Sequence, residues 1–293
     1  MAHSFPTRRS SDLAEHRALA RLPTPPAGAP NVLFIVLDTV RAESLSLYGY
    51  GRETSPHLAR LAARGVRFDQ ARAAASWTLP SHASMFTARW PHELSARIDR
   101  PLDATFPTLA EYLRDRGYAT AGFIANTFFC NSWYGLGRGF VHYEDMALTP
   151  LEVLRSSGLG RRLVKGAGAL PRNRPGAYFQ RKDAPTVNDE VLTWIDRRPR
   201  DRPFFAFLNY FDAHDPYLSP VEPARGFGLR PVTRADHATL QDWHTRDKKT
   251  LTPRDVELAR DCYDDCIAYL DEQLGKLVDF VNRENPELLY LEF

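Results

Sequence analysis

Three residues of this chain carry side chains suited to chemistry, in settings that favour it. Thr78 lies in the run Ser76-Trp77-Thr78-Leu79-Pro80-Ser81-His82, directly before a Pro-Ser-His turn, and Ala83-Ser84-Met85-Phe86-Thr87-Ala88-Arg89 then reads as a short helix. Proline is favoured in the first turn of a helix, where its missing N–H costs nothing. A hydroxyl at that point faces the unpaired backbone N–H groups of the helix start, which attract anions. A nucleophile placed there can attack a phosphate or sulfate ester; taken alone, the segment also fits a threonine capping an ordinary helix. Asp38 closes the apolar run Val32-Leu33-Phe34-Ile35-Val36-Leu37. Its carboxylate is a natural ligand for a divalent cation, or a cap for the next segment. His214 follows the run Phe204 to Phe211. An imidazole there suits proton transfer, and the alternative is a loop histidine packed on Pro216 and Tyr217. Asp212 and Asp215 flank it, raising its basicity or capping the turn.

The elements that must position these residues are legible in the periodicity. Six consecutive apolar residues rich in β-branched types, 32–37, fit a strand buried on both faces, as in a parallel sheet. Open α/β sheets bind ligands at the carboxyl ends of their strands, which is the edge where Asp38 and His214 fall. A helix around Leu58-Ala59-Arg60-Leu61-Ala62 ends at Gly65, and a strand Val66-Arg67-Phe68 is expected next. The helix over Thr108 to Leu113 ends at Gly117, before a strand over Tyr118 to Ile124; glycine is the expected C-terminal signal. A helix over Val187 to Arg197, with Val191, Trp194 and Ile195 inward, precedes the strand Phe204 to Phe211. A long helix covers Thr252 to Val281, with Ile267, Leu270, Leu274, Leu277 and Val278 at helical spacing. Alternating strands and helices predict a three-layer α/β/α fold with a mainly parallel sheet. Residues 147–185 and 218–250, richer in Gly, Pro, Arg and Lys, read as insertions over the ligand edge.

Taken together, these segments resemble the sulfatase branch of the alkaline phosphatase superfamily. Its members carry a strand ending in Asp, then Arg-x-(acid)-x-Leu-x-x-Tyr-Gly. About forty residues later comes a Cys/Ser/Thr-x-Pro-Ser-Arg/His turn closed by Thr-Gly-Arg. Here the stretch reads Asp38-Thr39-Val40-Arg41-Ala42-Glu43-Ser44-Leu45-Ser46-Leu47-Tyr48-Gly49, and the turn Thr78-Leu79-Pro80-Ser81-His82 is closed by Thr87-Ala88-Arg89. Ser55 to Ala62 is similar to the family's first helix, and Phe204 to Tyr217 to a later strand with a His-x-Pro end. The resemblance covers roughly residues 31 to 283 and implies an alkaline phosphatase/sulfatase-like fold. It also implies a metal-dependent hydrolase of sulfate or phosphate esters, with Thr78 as nucleophile and Asp38 and Thr78 as ligands of a divalent metal (Ca, Mg, Mn or Zn). By the same resemblance His214 contacts the transferred group or protonates the leaving oxygen.

The departures from the family pattern shape the expected chemistry. Sulfatases oxidise a Cys or Ser at the nucleophile position to an aldehyde; the Cβ methyl of threonine would give a ketone, so Thr78 cannot become formylglycine. A metal-activated threonine alkoxide is similar to what the phosphodiesterase, phosphatase and phosphoethanolamine-transferase relatives use, and a phosphoryl-group transferase is therefore the second expectation. Thr39 stands where the family has a second aspartate. His82 stands for the Arg of the turn, able to donate to an anion or to hold a metal, depending on its tautomer. Asn126 replaces the lysine of the family's Gly-Lys-Trp-His segment, a substrate-binding position that keeps a hydrogen bond and loses a charge. Past the long helix, residues 282–293 show neither a further apolar strand nor the Asp-His or Asp-Asn pair that completes the family's metal site. The expectation is a catalytic domain over 31–293, incomplete at its C-terminus, with an inactive protein as the third alternative.

Composition bounds the partners. The chain has 293 residues, 43% of them hydrophobic, and a net charge of +2. That is enough for a large core in one α/β unit, and too mild a charge to argue for nucleic acid or a membrane surface. The expected partner is a small-molecule or glycan or lipid ester. Cys130, Cys262 and Cys266 form no even framework and read as buried helix cysteines rather than metal ligands. Residues 1–30 show no signal-type hydrophobic run and pass through Pro25-Pro26-Ala27-Gly28-Ala29-Pro30, so they read as a disordered tail or non-native leader. No apolar run is long enough to span a bilayer, and localisation stays open.

Overall fold

The computed structural model describes residues 8–146, 181–220, 226–284 and 289–292. Its strands are β1 (Val32–Leu37), β2 (Ala119–Ile124), β3 (His142–Glu144), β4 (Phe204–Tyr210) and β5 (Leu289–Glu292). They lie in one sheet in the order β3-β2-β4-β1-β5. Every residue of β1, β2 and β4 is buried, as continuous apolar runs require when both faces of a strand are covered. The α-helices are α1 (Arg8–Leu19), α2 (Pro56–Ala62), α3 (Thr78–Thr87), α4 (Leu109–Arg114), α5 (Ala184–Arg197), α6 (Arg234–Gln241) and α7 (Pro253–Glu284). The fold is mixed α/β with a mainly parallel sheet, as the alternating pattern predicts.

Two compact units divide the chain. The first holds Met1–Val32, Ala74–Lys182 and Arg198–Phe207. Within it β2 and β3 pair in parallel, Ala121 opposite His142 and Phe123 opposite Glu144. Thr108 opens α4 with a capping box, its hydroxyl accepting from the Glu111 N–H while Glu111 reaches back to the Thr108 N–H, which satisfies two of the free donors at the helix start. Phe86, Phe140, Phe205 and Phe207 pack with ring centroids 4.8–6.3 Å apart. The second unit holds Leu33–Ala73, Asp183–Arg197 and Leu208–Phe293. There α7 packs on α2, α5 and α6, burying Leu258, Ile267, Leu270, Leu274 and Leu277.

The structure departs from the sequence expectations in four places. The leader is not without order over its described part: α1 runs from Arg8 to Leu19. Leu19 is buried, and Glu15 pairs with His142 at 3.0 Å. The proline stretch that follows lies so close to Gly117 that a Cβ there would strike Pro23 and Pro25. Val66-Arg67-Phe68 is not a strand; Val66 and Phe68 are 79% and 70% exposed, since three residues without a pairing partner have nothing to bury against. A short strand, β5, does follow the long helix and lies beside β1. Finally, α3 begins at Thr78 itself. The expected insertion at 147–185 falls mostly outside the described residues; within the other, at 218–250, lies α6.

Candidate active site

In the first unit the start of α3 sets the geometry. The N-cap is Trp77, in extended backbone, and the first helical bond runs from the Ser81 N–H to the Trp77 carbonyl at 3.1 Å. Thr78 is therefore the first helical residue rather than a cap, half-buried before the buried Leu79 and Pro80. His82, one turn on, is 2% exposed. Its Nδ1 lies 2.9 Å from the Thr78 carbonyl oxygen. A carbonyl only accepts, so Nδ1 carries a proton and donates it to that oxygen. The edge of Phe207 meets this ring at 5.9 Å. Asn126, two residues past β2, is buried. Its Oδ1 accepts from the Phe129 N–H at 3.1 Å and its carbonyl from the Cys130 N–H at 3.0 Å, so the carboxamide oxygen turns the chain.

In the second unit Asp38 is the first residue past β1 and is 8% exposed. Its N–H donates to the Tyr210 carbonyl at the end of β4, 3.0 Å away. Thr39 is left-handed, with φ of 65°, a conformation that is costly for a β-branched residue. Three bonds hold the turn. The Thr39 hydroxyl donates to the Ala213 carbonyl at 3.2 Å, the Tyr263 hydroxyl to the Thr39 carbonyl at 2.7 Å, and the Arg41 N–H to the Tyr263 oxygen at 3.1 Å. Strain of this kind persists where its surroundings over-determine it.

His214 stacks on Phe211 with centroids 4.2 Å apart. Its Nδ1 is 2.5 Å from Asp215 Oδ1, and the other carboxylate oxygen is 2.9 Å from His244 Nδ1. Burial pulls the His214 pKa down, but the hydrogen bond and charge of Asp215, with the more distant charge of Asp38, hold it above its ordinary value. Burial raises Asp215, and the two imidazoles overcome this to leave it below the usual carboxylate range. An Nδ1–H held by a carboxylate fixes the tautomer and leaves Nε2 to meet a substrate. Asp38 and His214 thus stand on one carboxyl edge, near enough for charge to couple them. Asp212 has a structural task, accepting from the Ala184 N–H at 3.0 Å at the start of α5. His244, on the segment after α6, carries no local signal in the sequence that points to Asp215.

A divalent cation needs four or more donors. Among the described residues no three His, Cys, Asp or Glu side chains gather into such a group, and the residue after Asp38 in the chain is Thr39, which brings no carboxylate. The described residues do not fit a complete metal site. Cys130, Cys262 and Cys266 are buried and not in disulfides; burial first, then the neighbouring Asp265 and Asp261 charges, push Cys262 up to about 12.

The sequence profile of the sulfatase family matches residues 30–289. Arylsulfatase A of Bos taurus is 37% identical over 103 residues, which cover 32% of this chain and 20% of that protein's own length. Among solved structures, the phosphonate monoester hydrolase of Agrobacterium radiobacter superposes with a TM-score of 0.61 at 21% identity, over 90% of this chain and 62% of that one. The C-terminal periplasmic domain of EcEptC from Escherichia coli, in complex with zinc, gives 0.57 at 16% identity, over 92% and 67%. The two structures share the fold, and the profile, matching nearly the whole chain, places this protein in the sulfatase family.

Proposed function

We propose that this protein cleaves sulfate or phosphate esters of a small molecule, glycan or lipid through a covalent Thr78 intermediate. The observation that carries the reading is the place of Thr78, half-buried as the first residue of α3, where backbone N–H groups converge on an anion. In the first step the Thr78 hydroxyl gives up its proton to water and its Oγ forms a bond to sulfur or phosphorus as the ester oxygen leaves; by the resemblance, His214 gives that oxygen a proton. Water then attacks the Thr78 ester, returning the hydroxyl and releasing the inorganic anion; the proton it loses restores His214. His82 and Asn126 are the anion-side groups by resemblance. The family expectation of a divalent metal, with Asp38 and Thr78 among its ligands, rests on the resemblance, and the metal content of Asp38→Ala tests it: an unchanged content removes Asp38 from the site.

The test is hydrolysis of paired nitrophenyl sulfate, phosphate and phosphodiester substrates, with zinc, manganese, magnesium or calcium added back after chelation. Thr78→Ala is expected to lose about a thousandfold or more in turnover. Wild-type turnover in Thr78→Ala would end the nucleophile assignment. A transferase reading shares the Thr78 ester and differs in using an alcohol in place of water. The threonine at position 78, which cannot become formylglycine, favours it, as does the shared fold with the phosphoethanolamine transferase EptC of Campylobacter jejuni, and alkyl phosphate formed in the presence of ethanolamine would select it.

A further inference from the structure

Trp77, next to Thr78, opens a patch of aromatic rings in the first unit. Its ring meets Phe129 edge-on at 5.2 Å. Phe128 meets Phe129 edge-on at 4.5 Å, and Tyr134 lies 6.5 Å from Phe129. The central ring is fixed from below: the Phe129 N–H is held by Asn126, which is 1% exposed. The outer rings are open, Trp77 being 39% and Phe128 49% exposed. Large apolar rings are exposed together where something covers them in use. Here the patch begins one residue from the nucleophile, about 3.8 Å along the chain from Cα to Cα.

We propose that Trp77, Phe128, Phe129 and Tyr134 form the subsite for the alcohol side of the ester, accepting a ring with a flat apolar face. Edge-to-face and offset stacking favour aromatic rings. The C–H face of a pyranose offers the same flat apolar contact. The anion sits at the start of α3 and the ring lies over Phe128 and Trp77, so these residues set which esters are taken rather than how fast sulfur or phosphorus reacts. The proposal rests on the reading of Thr78 as nucleophile.

The test uses uncleavable anions, so it does not depend on turnover: benzylphosphonate, cyclohexylmethylphosphonate and methylphosphonate, titrated calorimetrically into the whole chain. Benzylphosphonate is expected to bind about 3- to 10-fold more tightly than methylphosphonate. Phe128→Ala, at a largely open position, is expected to erase that preference while leaving methylphosphonate affinity unchanged, and Phe128→Tyr to keep it. Cyclohexylmethylphosphonate separates the sources: affinity equal to the benzyl compound assigns the subsite to any flat ring, sugars included, and affinity equal to the methyl compound assigns it to aromatic rings. Equal binding of the benzyl and methyl compounds to wild type, no binding of either, or a preference that survives both Phe128→Ala and Trp77→Ala overturns the subsite. A ring preference in a protein that hydrolyses no ester would keep the subsite and end the hydrolase reading. Hydrolysis without ring preference would do the reverse.

Discussion

At the scale of single residues, the pair His214–Asp215 makes the most direct claim about pH. The carboxylate holds His214 protonated to higher pH than an ordinary histidine, so under the proposed role a proton donor persists here further into the neutral range. Asp215→Asn removes that support. The falling limb of the rate profile is expected to move to lower pH, and an unmoved limb would show that His214 is not the titrating acid. His214→Ala should spare esters with good leaving groups and slow those with poor ones by about a hundredfold; an equal loss on both would reject the proton-donor role. The same pair has a signature in stability. The raised folded pKa of His214 makes its contribution complete below about 6.5 and lost as pH rises through the raised value. The lowered pKa of Asp215 makes its share present above the ordinary 3.8 and lost as pH falls through the lowered one. The melting difference between wild type and Asp215→Asn is therefore expected to be largest near pH 5 and to shrink on both sides.

At the scale of elements, what the sequence made legible follows from local signals. Buried strands announce themselves as unbroken apolar runs, and β1, β2 and β4 fall within a residue of their expected bounds. Helices with glycine stops or helical apolar spacing, such as α4 and α7, were equally readable. Elements that depend on distant partners were not. The three residues of β3 become a strand only by pairing with β2, whereas Val66 to Phe68, more apolar than His142-Tyr143-Glu144, pairs with no strand. Local signals single out Thr78 at a helix start and Asp38 and His214 after apolar strands, but no local signal gives the Asp215–His244 contact, because no periodicity links residues brought together by a loop. The end of α3 offers a test of this logic. Ala88 closes the helix with φ of 52°, the left-handed position where the family pattern quoted above has glycine. An Ala there carries a Cβ penalty that glycine avoids. Ala88→Gly is expected to stabilise the protein by about 1 kcal/mol, raising the melting temperature by about 2 °C. A lower melting temperature would show that the chain-entropy cost of glycine outweighs the relief.

At the scale of the second unit as a whole, the long helix α7 ties the segments around Asp38 together through buried acids rather than through apolar packing alone. Asp271 accepts from the His57 and Leu58 N–H groups at 2.8 and 2.9 Å, capping α2. Asp265 accepts from the Phe227 N–H at 2.9 Å. Asp261 and Asp264, 2% and 0% exposed, share Arg52 at 2.7 and 2.8 Å, and the Tyr50 hydroxyl donates to Asp264 at 2.7 Å. Burying a carboxylate is costly unless it is paired, so the Arg52 guanidinium answers for both of these charges, with Arg260 a second, longer partner of Asp261 at 3.4 Å. The pair's net worth is small, because desolvation offsets attraction, yet removing one partner strands the other. Arg52→Ala is therefore expected to cost about 3 kcal/mol, the low end of the buried range because the guanidinium is 26% exposed. Urea denaturation followed by far-ultraviolet circular dichroism measures it. Adding Asp261→Asn and Asp264→Asn to Arg52→Ala should recover part of the loss, since neutral amides are cheaper to bury than unpaired carboxylates. If Arg52→Ala costs less than about 1 kcal/mol, as an exposed ion pair would, the two aspartates are being served by Arg260, Tyr50 and the backbone, and Arg52 is incidental to how α7 holds the turn beyond β1.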